Sequence, residues 1–284
     1  MRVAHLILVH KFPAQVERLL RLMQHPDFYF FIHVDAKVNE AEYHYLRQFP
    51  RLTFIKKRTK IVWAGYGTIQ ATLNGFEEII PLGFDYINVI SGQDLPVKTA
   101  AFIYNYLQQH SGTEFMTCES IETEWTDAQY RVKGYHFINW QIPGKFRLSK
   151  LATKLLPSRK FPLDFEIVGK ANWFTITNDA ALYIINFLKQ NPAVVRYFKL
   201  CWGADEFIFA SILYNSHYKS RIKNNLVYVD WAGQTEGHPR ILTLQDKKAL
   251  QQTDKLFARK FDIQISEEII SEVERFVVAG QYVQ

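Results

Sequence analysis

The chain has 284 residues, with 34 Lys and Arg against 28 Asp and Glu, so its formal charge is 34 − 28 = +6. Hydrophobic residues at 48% and charged ones at 22% describe a globular chain with a large core and exclude one that is mainly disordered. No apolar run reaches the ~20 residues of a membrane-spanning helix. The start, MRVAHLILVHKF, reads as a buried strand rather than as a cleavable signal. The 2 cysteines, Cys118 and Cys201, are too few for a disulfide framework and lack zinc-site spacing, so a reducing, cytoplasmic compartment is the expectation.

The first hundred residues alternate strands and helices. Val3 to Val9 is an apolar run broken only by His5, as in a strand buried on both faces. Pro13 opens a helix whose Val16, Leu19, Leu20 and Met23 form an apolar stripe. Strands follow at Phe28 to Val34, Leu52 to Ile55 and Tyr86 to Ile90, with helices at Glu40 to Gln48, from a Thr68 cap to Ile79, and from a Thr99 cap to about Gln109. This order predicts an α/β fold with a mostly parallel sheet flanked by helices. Ligands of such sheets bind beyond the carboxyl ends of the strands, where Asp35 and the Ser91–Asp94 loop fall.

The second half is less regular. Glu114 to Cys118 is a candidate strand, Trp173 to Thr177 a second, and Leu226 to Val229 a third. Helices are expected from an Asn178 cap through Phe187, from Asp205 to Tyr214, from Leu244 to Gln252 and from Ser266 to Phe276. The stretch from about 120 to 170 has little periodicity and reads as an irregular insertion in one domain of residues 1–284. It carries Lys145, Arg147, Lys150, Lys154, Arg159, Lys160 and Lys170, which read either as a solvated face or as a surface attracted to anionic lipid or a polyanionic acceptor. No nucleic-acid-binding signature is present.

Phosphate-loop, dinucleotide and serine-elbow motifs are absent. So is the Asp-x-Asp pair with which many sugar-nucleotide enzymes hold a metal; Asp164-Phe165-Glu166 is the nearest approach. Asp35, after an apolar strand, reads either as a turn-forming carboxylate or as a hydrogen-bond acceptor for a base or ribose. In WGADE, Asp205 could cap a helix with Glu206 at its positive end, or Glu206 could act as a general base. Arg240 and Lys260 lie in loop-like surroundings, each a surface charge if alone and a leaving-group clamp if paired around a diphosphate. Trp63, Trp231 and His33 are rim or core rings that could also stack on a ligand.

Seven stretches, IHVDAK (32–37), VWAGYGTIQATL (62–73), DYINVISGQDLPVKT (85–99), GKANWFTIT (169–177), WGADEFIFASIL (202–213), YVDW (228–231) and FARKFD (257–262), together resemble the core-2/I-branching enzyme family. That family groups β-1,6-N-acetylglucosaminyltransferases with peptide O-xylosyltransferases, and this chain is most similar in form to its short, soluble bacterial-type members. The resemblance implies a GT-A-like fold and an inverting transfer of N-acetylglucosamine or xylose from a UDP-sugar to a glycan or protein hydroxyl, without metal or other cofactor. It implies Glu206 as catalytic base, Asp35 and Trp63 at the nucleoside, Arg240 and Lys260 at the diphosphate, and Trp231 with Asp94 at the substrate. The rival expectation is a glycan- or polyanion-binding module without catalysis.

Overall fold

The computed structural model describes residues 1–233 and 237–283. Twelve strands, among these residues, run in chain order as β1 (Val3–Val9), β2 (Phe28–Val34), β3 (Leu52–Phe54), β4 (Tyr86–Ser91), β5 (Asp94–Pro96), β6 (Glu114–Phe115), β7 (Glu119–Ser120), β8 (Val168–Gly169), β9 (Phe174–Thr177), β10 (Ile222–Lys223), β11 (Val227–Val229) and β12 (Phe257–Arg259). Seven of them form the central sheet in the order β10-β6-β9-β4-β1-β2-β3. The pairings β1–β2, β1–β4, β2–β3 and β6–β10 are parallel, and β9 runs antiparallel to β4 and β6. This mostly parallel sheet with flanking helices is the α/β layout expected above.

The apolar runs explain the centre of the sheet. Every residue of β1 and β4 is buried, because helices cover both faces. Pro13 sits in the first turn of the helix Pro13–Leu22, whose Val16, Leu19 and Leu20 turn inward with Met23 just beyond its end. Thr99 caps the helix Ala100–Gln109 by accepting from Phe102 N at 3.2 Å, an arrangement worth about 1 kcal/mol. Two other caps differ from expectation by one residue or more. Thr177, not Asn178, accepts from Ala180 N, and the helix Gly67–Ile79 begins before Thr68 and has no side-chain cap.

Local pattern fails at two short strands. Asp94–Pro96 and Phe257–Arg259, read from sequence as loops, pair antiparallel, and β12 also pairs parallel with β11. The resulting sheet, β11-β12-β5, stands beside the central one and delivers residues 259 and 260 to its carboxyl rim. The region 120–170 contains the two-stranded β7–β8 pair and the helices Gln129–Lys133 and Lys145–Leu155.

Candidate active site

A cavity of about 640 Å³ opens beyond the carboxyl ends of β1, β2 and β4, where chain connections leave the sheet in opposite directions. His10, Asp35, Ser91 and Gln93 line its floor. Asn172, Trp173, Trp202, Asp205 and Glu206 make part of its walls, and Trp231, His238, Arg259 and Lys260 continue them, with Arg259 against the Trp173 ring.

Asp35 follows β2 directly. Its carboxylate accepts from Lys37 N at 2.9 Å and Ile61 N at 3.3 Å and lies 3.4 Å from Lys37 Nζ, so the turn and the ligand-facing position coexist in one residue. Arg58 fixes that turn through the carbonyls of Val34, Asp35 and Val38. Trp63 is exposed at the rim, edge-on to Trp202 with centroids 5.0 Å apart. His33 is buried outside the cavity and accepts from Thr59 N, and burial lowers its pKa to about 4, so it is neutral near pH 7.

Glu206 ends a single 3-10 turn, Ala204–Glu206, preceding the helix Ile208–Tyr214. Its backbone is pinned by β8: Lys170 N donates to Glu206 O at 3.1 Å, and a Cβ on Gly169 would stand 2.0 Å from that oxygen. The side chain faces the cavity and accepts from Arg131 Nη2 at 2.7 Å. Arg131 in turn is caged by the rings of Trp202, Trp125 and Phe207, 4.5, 4.9 and 4.9 Å from its guanidinium carbon. Gly203 makes this contact possible. It has φ +62°, and a Cβ there would lie 2.2 Å from Arg131 Nη2. Burial pushes the Glu206 pKa up to about 7, against the pull of Arg131 and with help from Asp205. A carboxylate titrating there is matched to proton transfer at neutral pH. Asp205 does not cap a helix by its side chain; its carboxylate accepts from Asn172 at 3.0 Å on the cavity wall.

Arg259 is the group that sequence reading missed. Its side chain is 87% buried by complement of a 13% exposure, its guanidinium lies over Trp173 at 4.8 Å, and its Nε stands 3.4 Å from Asp94 Oδ1. Its side chain makes no hydrogen bond among the described residues, and its buried Nε meets only Asp94, across that ion-pair distance. A buried cation with unspent donors beside an open cavity is suited to a multiply charged anion. Burial lowers its pKa, countered first by Asp94 and then by Glu206 and Asp205. Lys260 follows across a cis peptide bond and also lines the cavity; burial and the neighbouring Arg259 and Lys11 lower its pKa.

Two of the expected site residues lie outside the cavity lining. Arg240 does not line the cavity: Asp230 and Asp246 hold its guanidinium, the latter at 2.5 and 3.0 Å, and the pairing ties the segment after β11 to the helical turn Leu244–Asp246. Asp94 is fully buried and lies outside the lining. It accepts from Ser91 N at 2.8 Å and Ser91 Oγ at 2.9 Å, so it shapes the strand-end loop and sits beneath Arg259. Trp231 does line the cavity, half exposed. Asp164 and Glu166 are exposed and outside it, and no group of three His, Cys, Asp or Glu suited to a metal occurs among the described residues.

Sheet and cleft together define an α/β protein with an acid and a cationic pair facing one cavity at its carboxyl rim. The chain belongs to the Core-2/I-Branching enzyme family of glycosyltransferases, whose model matches residues 3–253. It is 23% identical over 298 residues to xylosyltransferase oxt of Drosophila melanogaster, covering 93% of this chain and 32% of that protein. It is 22% identical over 310 residues to human xylosyltransferase 1, covering 99% of this chain and 31% of the relative, and 22% identical over 316 residues to bovine xylosyltransferase 2, covering 99% and 34%. The chain thus spans 31–34% of the length of these curated relatives. Among solved structures, apo mouse xyloside xylosyltransferase 1 matches 83% of this chain and 95% of its own at 12% identity and a TM-score of 0.40.

Proposed function

We propose that this chain transfers a sugar from a UDP-sugar to an acceptor hydroxyl, inverting the anomeric carbon and needing no metal. The observation that carries the reading is one cavity lined together by Glu206, Arg259 and Lys260. The acceptor oxygen attacks C1 of the donor sugar while the bond from C1 to the β-phosphate oxygen breaks, its electrons leaving with UDP. Glu206 takes the acceptor's proton. Arg259, whose side chain makes no hydrogen bond among the described residues, and Lys260 receive the charge that grows on the diphosphate. Asp35 and Trp63 serve the nucleoside, and Trp231 stacks on a sugar face. Arg240 acts at one remove by holding Asp230 and Asp246.

Xylose is the first donor to test, on the names of the relatives, and N-acetylglucosamine the second. A glycan-binding module without catalysis is less well supported, because it gives no role to a carboxyl raised to about pH 7 beside a caged arginine. The reading includes a reducing compartment, in keeping with the free thiols of Cys118 and Cys201. The test incubates the purified chain with UDP-xylose or UDP-N-acetylglucosamine in excess EDTA and measures released UDP. Turnover that survives EDTA is expected. Turnover of neither donor, or strict dependence on added manganese, overturns the corresponding part of the proposal.

A further inference from the structure

A helix on a soluble surface ordinarily turns its apolar stripe inward. The helix Lys145–Leu155 does the reverse, and none of its residues is buried. Its inner side is small and polar. Ser149 Oγ accepts from Phe137 N at 3.0 Å, Thr153 Oγ1 accepts from Tyr135 N at 2.9 Å, and Lys145 Nζ donates to Ile138 O at 2.9 Å. At 3.6 residues per turn, Leu148, Leu151 and Leu155 share an outward arc of about 60°. They are 39%, 54% and 69% exposed. Arg147, Lys150 and Lys154 fall in the adjoining arc of about 60°, and none of the three makes an ion pair or hydrogen bond among the described residues. Phe146 lies beyond them, and Trp140, Ile142 and Leu156 extend the exposed apolar surface at the two ends.

The charge around this helix has one sign. No Asp or Glu occurs between Asp127 and Asp164, and the interval holds Arg131, Lys133, Lys145, Arg147, Lys150, Lys154, Arg159 and Lys160. Arg131, Lys133 and Arg159 are used internally, by Glu206, by Glu122, and by the carbonyls of Val132 and Gly134. The outward cations are therefore unneutralised.

We propose that Lys145–Leu155 is an interfacial helix that lies on an anionic lipid bilayer, with its leucines in the headgroup–acyl boundary and Arg147, Lys150 and Lys154 on lipid phosphates. Adjacent apolar and cationic strips on an unpartnered outer face are the form that such a surface requires. Charge complementarity decides the occupant. A second copy meeting this face about a two-fold axis would set the cationic strip against its own image, whereas an anionic bilayer neutralises it. The segment is also tied to the cavity rim: Asn139 accepts from Tyr66 N at 2.7 Å and donates to Lys199 O at 2.7 Å, and Trp63 and Ala64 just before Tyr66 line the cavity. The bilayer would thus lie beside the mouth of the cleft. This surface stands independently of the proposed sugar transfer.

The test is co-sedimentation of the full chain with phosphatidylcholine vesicles, with and without phosphatidylglycerol, at low and high salt. The unaltered chain is expected to sediment only with the phosphatidylglycerol vesicles and to be released by salt. Replacing all three outward cations, R147Q with K150Q and K154Q, should weaken partition on the order of 100-fold. L151S with L155S should weaken it on the order of tenfold. These side chains are exposed, so the variants should keep the far-ultraviolet circular dichroism of the parent. No sedimentation of the unaltered chain, equal sedimentation of the triple variant, or a concentration-dependent dimer that L151S with L155S abolishes without any vesicle binding would each overturn the proposal.

Discussion

The floor and the far walls of the cavity are built in different ways. The floor comes from consecutive strand ends, His10 after β1, Asp35 after β2 and Ser91 at the end of β4, all within the first hundred residues. The walls are assembled from distant pieces: Arg131 meets Glu206 across 75 positions, and β12 brings Arg259 to the Asp94 of β5. On the floor, strand ends set each position, and side chains close in sequence or on neighbouring loops, such as Lys37, Arg58 and Asp94, hold it. On the walls, each functional side chain depends on another for charge and orientation. Changes to the walls should therefore alter chemistry, pH response and the hold on the diphosphate, and changes to the floor should alter nucleoside affinity.

The largest effect tests the proton acceptor. Glu206→Gln should lower kcat by ~10²–10⁴-fold while leaving UDP affinity by calorimetry within about twofold. Near-normal turnover would remove Glu206 from this role and dissolve the division between wall and floor. Next in size, Arg259→Gln and Lys260→Ala should each weaken UDP binding by about 10–100-fold, as expected for a charge-assisted contact. Arg240→Ala should cost no more than about threefold, the usual scale of a partly exposed ion pair; a loss equal to that of Arg259→Gln would return Arg240 to the diphosphate.

The remaining effect is on pH. In the proposed role Glu206 works deprotonated, so with its pKa raised to about 7 the rate should rise from acid through about pH 7 and then level. Arg131 pulls that pKa down. Arg131→Gln should consequently move the acid limb upward by about one unit, and Arg131→Lys should move it less. A profile unchanged in Arg131→Gln would show that Arg131 only supports packing.

Most of the parallel sheet was legible because double burial leaves strands such as Val3–Val9 and Phe28–Val34 apolar except for the single histidines His5 and His33. Helix starts were legible where the cap is local, as at Thr99, and slipped where a neighbour served equally well, as at Thr177 beside Asn178. Of the site, Asp35, Trp63, Glu206, Lys260 and Trp231 all reach the cavity. Asp94, at the start of β5, and Arg240, in the segment after β11, carry the right charges, but their partners decide where they point, and those partners lie on other elements. Arg259 was hidden by its three-residue strand, too short for an alternating pattern, although the apolar Leu256-Phe257-Ala258 before it was the available signal. Arg131 had no local signal at all, since its cage consists of rings from other segments.

Gly203 offers a way to separate foldedness from reactivity. The glycine leaves room for the guanidinium that faces Glu206, and its left-handed backbone admits an added methyl group only with strain. A Gly203→Ala protein would still present the floor of the cleft and hold nucleotide, yet its acid would have lost its counter-ion. Burial raises the acidity limit of this cleft, and the carbon missing at Gly203, by admitting Arg131, restrains how far it rises.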